Sequence, residues 1–255
     1  MLYKRKHDLN ISSPIPFGEK AEEFFTDGAV DRAKVRECIS SCTMCHKDGN
    51  VVPAPRYGTG YQGAKLAIIG QNPPIDEGRA QHGAWLAHFP DVQKGPHEKL
   101  VEELLGTLGV TPKELFATQA MKCPTMDNGR VFSWSQAAPC SRRFLQYELA
   151  WSKPKVILAF GLTAKVVVRD LLCYGGKELL RADLPIFEFN TWKMESTYDK
   201  ASPTWVERQG TFIAAPHPST VHRFITKRRW IEAIGQAYHE ASTSTVDFQW
   251  AYEVR

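Results

Sequence analysis

Cys42-x-x-Cys45, Cys123 and Cys140 are the residues of this chain whose type and spacing most readily build a chemical site. Two thiolates on one tight turn can reach the same metal centre. Cys123 and Cys140, with sixteen residues between them, form a second pair. One is expected at a strand end and the other near a helix start, where polarised N–H groups favour thiolate. Four thiolates suit either a zinc ion or a [4Fe–4S] cluster. Buried structural cysteines are the competing reading, and the second pair tips the balance toward a metal. Cys38 is an alternative ligand and Cys173 reads as core.

A second set of polar residues falls where apolar runs end. Leu66 to Ile69 is unbroken and apolar, Gly70 permits a close approach, and Gln71 and Asn72 follow before the stiff Pro73-Pro74. Ligands bind at the carboxyl ends of strands in open parallel sheets. His217-Pro218-Ser219 follows another apolar run, so its imidazole is expected at the same edge, where it can donate to a developing anion. Gln119 can read a donor/acceptor edge if it lies there too. Trp85, on the loop after Asn72, can stack on a flat ring or serve as core. Arg223, Lys227 and Arg228 can line one helical face and meet phosphates, or form an ordinary solvated face.

These residues need elements to carry them. Strands are expected at Lys65–Gly70, where Ile68-Ile69 is β-branched, and at Phe116–Lys122, Lys155–Gly161 and Thr211–Pro216. Helices are expected at Val30–Ile39, His97–Leu108, Ser133 or Pro139 to Trp151, Thr163–Leu172 and Val221–Glu240, with a short one opened by Thr111-Pro112-Lys113-Glu114. Strands alternating with helices predict a parallel sheet covered on both faces. Residues 1–28 read as an extension, 29–240 as the domain with 175–210 as a surface excursion, and 241–255 as a tail.

Composition bounds the rest. The chain has 255 residues, 43% hydrophobic, with a net charge of +4, which supports a full core and only a mild lean toward polyanions. The basic start has no apolar stretch behind it, and no run reaches membrane-spanning length. A soluble, cytoplasmic protein without a membrane partner is expected, in which the six cysteines are not a disulfide framework.

Taken in order, Cys42-x-x-Cys45, Gly70-Gln71-Asn72-Pro73-Pro74, Gln119-Ala120-Met121-Lys122-Cys123, Cys140, Lys155 to Gly161 and His217-Pro218-Ser219 resemble the uracil-DNA glycosylase superfamily, specifically its iron–sulfur branch. The resemblance spans about Ser41 to Tyr238. It implies a three-layer α/β/α fold with a central four-stranded parallel sheet, and a monomer that flips a nucleotide from DNA and hydrolyses its glycosidic bond. By position it makes His217 the residue that stabilises the departing base and Asn72 the one that orients water. It makes Gln71, Trp85 and Gln119 the base contacts, and Val221 a wedge in the vacated stack. Ser219, Arg223 and Lys227 are then expected to contact DNA, and Cys42, Cys45, Cys123 and Cys140 to hold a structural [4Fe–4S] cluster, with zinc as the alternative. No lysine is expected at the site, so a monofunctional enzyme is implied.

The chain also departs from that branch. Gly70-Gln71-Asn72-Pro73-Pro74 stands where Gly-Glu-Ala-Pro-Gly is usual, Gln119 where asparagine is usual, and the stretch His82 to Leu86 replaces a Gly-Arg-Pro-Phe-type segment. These changes fall on the base pocket and spare His217 and the thiols. Uracil or a modified pyrimidine, such as those of phage DNA, is the expected substrate, the latter pointing to phage defence. A DNA-binding or damage-sensing module without turnover is the alternative.

Overall fold

A computed structural model describes residues 21–27, 29–45, 49–74, 95–126, 137, 139–173, 207–209, 212–221 and 226–243. The chain enters through a short antiparallel pair, Phe25–Thr26 (β1) and Ala29–Val30 (β2), that leads into helix α1, Arg32–Ser40. Asp31 caps α1 by accepting from the Ala33 and Lys34 amides, which would otherwise lack partners. Thr59–Gly60 (β3) and Leu66–Gly70 (β4) follow, then α2 (Pro96–Leu108), β5 (Leu115–Gln119) and α3 (Gln146–Ser152). The second half comprises β6 (Val156–Phe160), α4 (Gly161–Cys173), β7 (Glu207–Gln209), β8 (Phe212–Ala215) and α5 (Lys227–Ser242).

The sheet has the order β3-β5-β4-β6-β8-β7. Its inner strands β5, β4, β6 and β8 are all parallel, and the two edges, β3 and β7, run antiparallel. The parallel core is as expected; the sheet as a whole is wider, with six strands among the described residues rather than four. β4, β5, β6 and β8 are buried at every position, which explains their nearly unbroken apolar runs.

Alternation sorts the strand side chains to two faces. Leu66, Ile68, Leu115, Ala117, Leu158, Phe160, Ile213 and Ala215 pack with α2 and α5. Ala67, Ile69, Phe116, Ile157, Ala159 and Ala214 pack with α3 and α4. Trp230 of α5 is fully buried and stacks on Phe160 at 5.5 Å between ring centroids, a pairing that contributes about 0.5–1.5 kcal/mol beyond burial. A third cluster seats α1 against α3 through Val35, Ile39, Phe144, Tyr147 and Phe24. Phe24 lies in the stretch expected to be an extension, so the packed body begins before residue 28.

Two boundaries differ with consequences for the site. β5 stops at Gln119, and Ala120 to Lys122 turn out of the ladder instead of continuing it. The last helix does not run unbroken from Val221: Thr226 is extended, with φ −70° and ψ 142°, and caps α5 by accepting from the Arg229 amide. No helix among the described residues is long and apolar enough to cross a membrane.

Candidate active site and cysteine cavity

β4 is followed by α2 on one face of the sheet and β6 by α4 on the other, so a crevice is expected at the carboxyl edge between these strands. Gln71 and Asn72 follow β4 and Thr163 follows β6. The Thr163 hydroxyl donates to Gln71 Oε1 at 3.1 Å, and Gln71 Nε2 donates to Asn72 Oδ1 at 3.2 Å. Asn72 Nδ2 donates to Thr125 Oγ1 at 3.3 Å and to the Pro73 carbonyl at 3.2 Å. This relay fixes which way both carboxamides face. Gln119 closes β5 opposite Gly70 and is 4% exposed. The Ala120 and Met121 amides bond the Gly70 and Gln71 carbonyls at 2.8 and 2.9 Å, tying the two strand exits together.

His217 stands two residues beyond Ala215, so alternation puts it on the α2/α5 side, like Gln119. The Trp230 indole N–H donates to the Pro216 carbonyl at 3.1 Å and pins the backbone just before it. The Ser219 amide donates to His217 Nδ1 at 3.2 Å, and the Ser219 hydroxyl lies 2.8 Å from the same nitrogen. An amide can only donate, so Nδ1 is the acceptor and a neutral imidazole carries its proton on Nε2. Burial, with a smaller contribution from nearby His97, lowers the His217 pKa from 6.5 to about 4. Gly161 backs the ring: its φ is +83°, and a Cβ there would meet His217 Cβ at 3.5 Å. His97, at the start of α2, brings a second imidazole to the site, edge-on at 6.3 Å between centroids.

On the other side of β5, Cys42, Cys45, Cys123 and Cys140 line one cavity, with Pro55 and Phe144 among its other walls. Cys140 begins a π-helical turn, Ser141–Leu145, that leads into α3. Its sulfur accepts from the Lys122 amide at 3.3 Å. The thiolate-favouring helix start does not prevail there. Burial pushes Cys140 up to about 11 and Cys123 up to about 12, and the neighbouring thiols push the same way. The two buried thiols ionise readily only against bound positive charge, and Cys42 and Cys45 stand beside them, so the donor set fits a thiolate-ligated metal group. No group of three or more His, Cys, Asp or Glu among the described residues is arranged around a single ion.

Residues 57–235 match the family model described as the uracil DNA glycosylase superfamily. The chain belongs to that superfamily. It is similar to the type-4 uracil-DNA glycosylase of Pyrobaculum aerophilum, with 29% identity over 146 residues, covering 56% of this chain and 67% of that protein. It is similar also to the type-4 uracil-DNA glycosylase of Archaeoglobus fulgidus, with 28% identity over 161 residues, covering 62% and 73%. The superfamily match takes in Asn72, Gln119, Cys123, Cys140 and His217, and begins after Cys42 and Cys45.

Several expected site residues of this superfamily member stand elsewhere than foreseen. Val221 is fully buried in the α2/α5 core, so it offers no surface to wedge into a base stack, and that assignment is withdrawn. Ser219 is exposed, but its hydroxyl is turned to His217, which it orients. Lys227 is exposed and ion-paired with Glu103. It begins α5 after the Thr226 cap, so no continuous helix joins it to residue 223. Trp85 and Arg223 lie outside the described residues. Thr163, Thr125 and His97 were not foreseen. Thr163 had a positional signal, two residues past a strand-ending glycine; the other two had none.

Proposed function

We propose that this protein is a monofunctional DNA glycosylase that hydrolyses the N-glycosidic bond of a pyrimidine turned out of DNA, leaving an abasic site. One observation carries this reading: His217 Nδ1 is held as an acceptor by the Ser219 amide, which leaves the Nε2 proton as the donor of a neutral ring. As the C1′–N bond breaks, its electron pair passes to the base, and Nε2–H stabilises the anion on a base oxygen. Asn72 cannot take a proton from water. Its Oδ1, already oriented by Gln71, has a second lone pair to aim a water at the sugar cation. Gln71 and Gln119 present carboxamides to the base edge, and Trp85 is assigned to stack on its face.

Extrusion of the base costs a few kcal/mol, which contacts to the backbone must offset. Lys227, Arg228 and Arg229 are exposed in the first turn of α5, where the helix end is itself positive. We assign them, with Arg223, to phosphates. Cys42, Cys45, Cys123 and Cys140 would hold a [4Fe–4S] cluster, which supplies a structural tie between the Cys42 turn, the exit of β5 and α3. The four cysteines line one cavity, which suits such a cluster, with zinc as the alternative.

The names of the relatives make uracil the first substrate to test. The altered residues Gln71, Asn72 and Gln119 favour a modified pyrimidine, and a specificity of that kind would suit defence against phage DNA. The reading as a binding module without turnover is favoured by one feature, the commitment of both Asn72 side-chain heads within the protein. A panel of duplexes carrying uracil, thymine, hydroxymethyluracil, hydroxymethylcytosine and its glucosylated form decides between them, with alkali cleavage reporting abasic sites. Release that disappears in His217→Ala supports the glycosylase. Tight DNA binding without release from any member supports the module.

A further inference from the structure

The geometry points to Lys122 as a positioning residue that sets where Gln119 stands at the base edge, acting through a buried ion pair with Glu148. This rests on the glycosylase reading, because Gln119 is assigned to the base there.

Lys122 and Glu148 are 1% and 5% exposed, and neither belongs to the crevice. Lys122 Nζ donates to Glu148 Oε2 at 2.5 Å, to Thr118 Oγ1 at 2.8 Å and to the Gln119 carbonyl at 2.6 Å. Those three acceptors use all three ammonium hydrogens. Glu148 is held in turn by the Thr118 hydroxyl at 2.7 Å and by the Gly58 amide at 2.5 Å. Gly58 must be glycine for that approach, since a Cβ would stand 2.5 Å from Phe116 Cζ and 2.9 Å from Thr118 Cβ. β5 ends at Gln119, and Lys122 Nζ bonds the carbonyl at which the chain leaves the ladder. The same turn is fixed by the Lys122 amide on Cys140 Sγ and by the Ser141 hydroxyl on the Ala120 carbonyl at 2.9 Å.

Two apolar side chains of similar volume commonly fill such a space at no loss of stability, so packing alone does not call for an ion pair. What an ammonium does and a methionine cannot is hold the Gln119 carbonyl. That bond fixes the backbone from one face of β5 while the side chain works on the other.

Lys122→Met alone strands a buried carboxylate and is expected to fold poorly. Lys122→Met/Glu148→Gln is the informative variant, because glutamine still accepts from Gly58 and donates to Thr118, so no charge is stranded while the Gln119 carbonyl loses its ammonium donor. Leu171→Ala, in α4 away from the crevice, controls for general loosening. Single-turnover release from a uracil duplex should fall about 10- to 100-fold in the double variant, as a misplacement near 1 Å does. Affinity for the same duplex without uracil should be unchanged. The Ala120 and Met121 amides should exchange about tenfold faster or more, and Leu171→Ala should reproduce neither change. Wild-type exchange in the double variant overturns the inference, as does wild-type release where the parent is active. If the wild-type protein releases no uracil, the reading of it as a uracil glycosylase fails, and the exchange measurement decides this inference by itself.

Discussion

On the α3 side of β5, Thr118, Lys122 and Glu148 consume one another's hydrogen bonds in a space almost sealed from water. At the carboxyl edge of the same sheet, Gln71, Asn72 and His217 are equally well oriented but only half-buried. Both sets are polar, and both are built from residues within or just beyond the strands. The difference lies in how far a ligand can reach each set. A closed network has spent its donors and acceptors and can only hold backbone in place. An oriented but reachable group can transfer its interaction to a reacting molecule. Lys122 is only three residues from Gln119 in the chain. Its burial against Glu148 on the far face keeps it from acting as a Schiff-base nucleophile, which supports the monofunctional reading proposed above.

The comparison breaks most easily at Lys122. Lys122→Met should cost about 3–5 kcal/mol in urea or thermal unfolding, because it leaves the Glu148 carboxylate buried and unpaired. The exposed pair of Lys65 and Glu114 gives the contrast, since its removal should barely move the midpoint. Equal effects from the two pairs would mean that burial does not distinguish the closed network. His217→Ala should show the reverse pattern. Base release should fall about 10²- to 10³-fold, as for loss of one preorganised donor, with little change in unfolding. A large loss of stability with activity retained would place His217 among the structural groups.

Acid sharpens the contrast further. His217 is pushed down from 6.5 to about 4 by burial, so the unfolded chain takes up its proton first. Its contribution to stability is therefore complete above pH 6.5 and is lost as the pH falls toward about 4. Protonation at Nδ1 also turns an acceptor into a donor facing the Ser219 amide. Base release should pass through pH 6.5 without an inflection from this residue and collapse near pH 4. A rate that bends near 6.5 and loses the bend in His217→Ala would show a ring in contact with water.

The central strands were legible because burial on both faces leaves nearly continuous apolar runs, as in Leu66 to Ile69 and Val156 to Phe160. The same signal misplaced the end of β5. Ala120 and Met121 are buried and apolar, but they are buried under α3 and α4, with Met121 beside the cysteine cavity, rather than in the ladder. The edge strands β3 and β7 have two and three residues, too few to show a period. Thr226 was missed as a cap because Arg229, not a glutamate, stands three residues on, so no capping box marks the start of α5. At the site, residues following strand ends were readable because position alone carries them to the edge. Val221 was not, since its burial depends on how the turn after His217 packs under Trp230 and its neighbours. The ties of Thr125 to Asn72 and of Glu148 to Gly58 join residues 53 and 90 apart and have no local pattern.

The smallest effect expected lies at the rim, beyond both networks. Lys227 is 46% exposed and shares its charge with Glu103, so it is neither locked like Lys122 nor aimed like His217. Lys227→Ala should leave unfolding and single-turnover release at saturating enzyme unchanged. If Lys227 meets a phosphate, it releases about one counterion on binding, and its loss should lower the slope of log K against log salt by about one. The deficit should be equal for duplexes with and without the target base, since a phosphate contact carries no base information. Glu103→Ala should do the opposite and tighten binding at low salt by freeing the ammonium. If Lys227→Ala instead weakened only the target-bearing duplex, the rim would be taking part in base reading, and the boundary between oriented groups and merely charged ones would have to be drawn further out along α5.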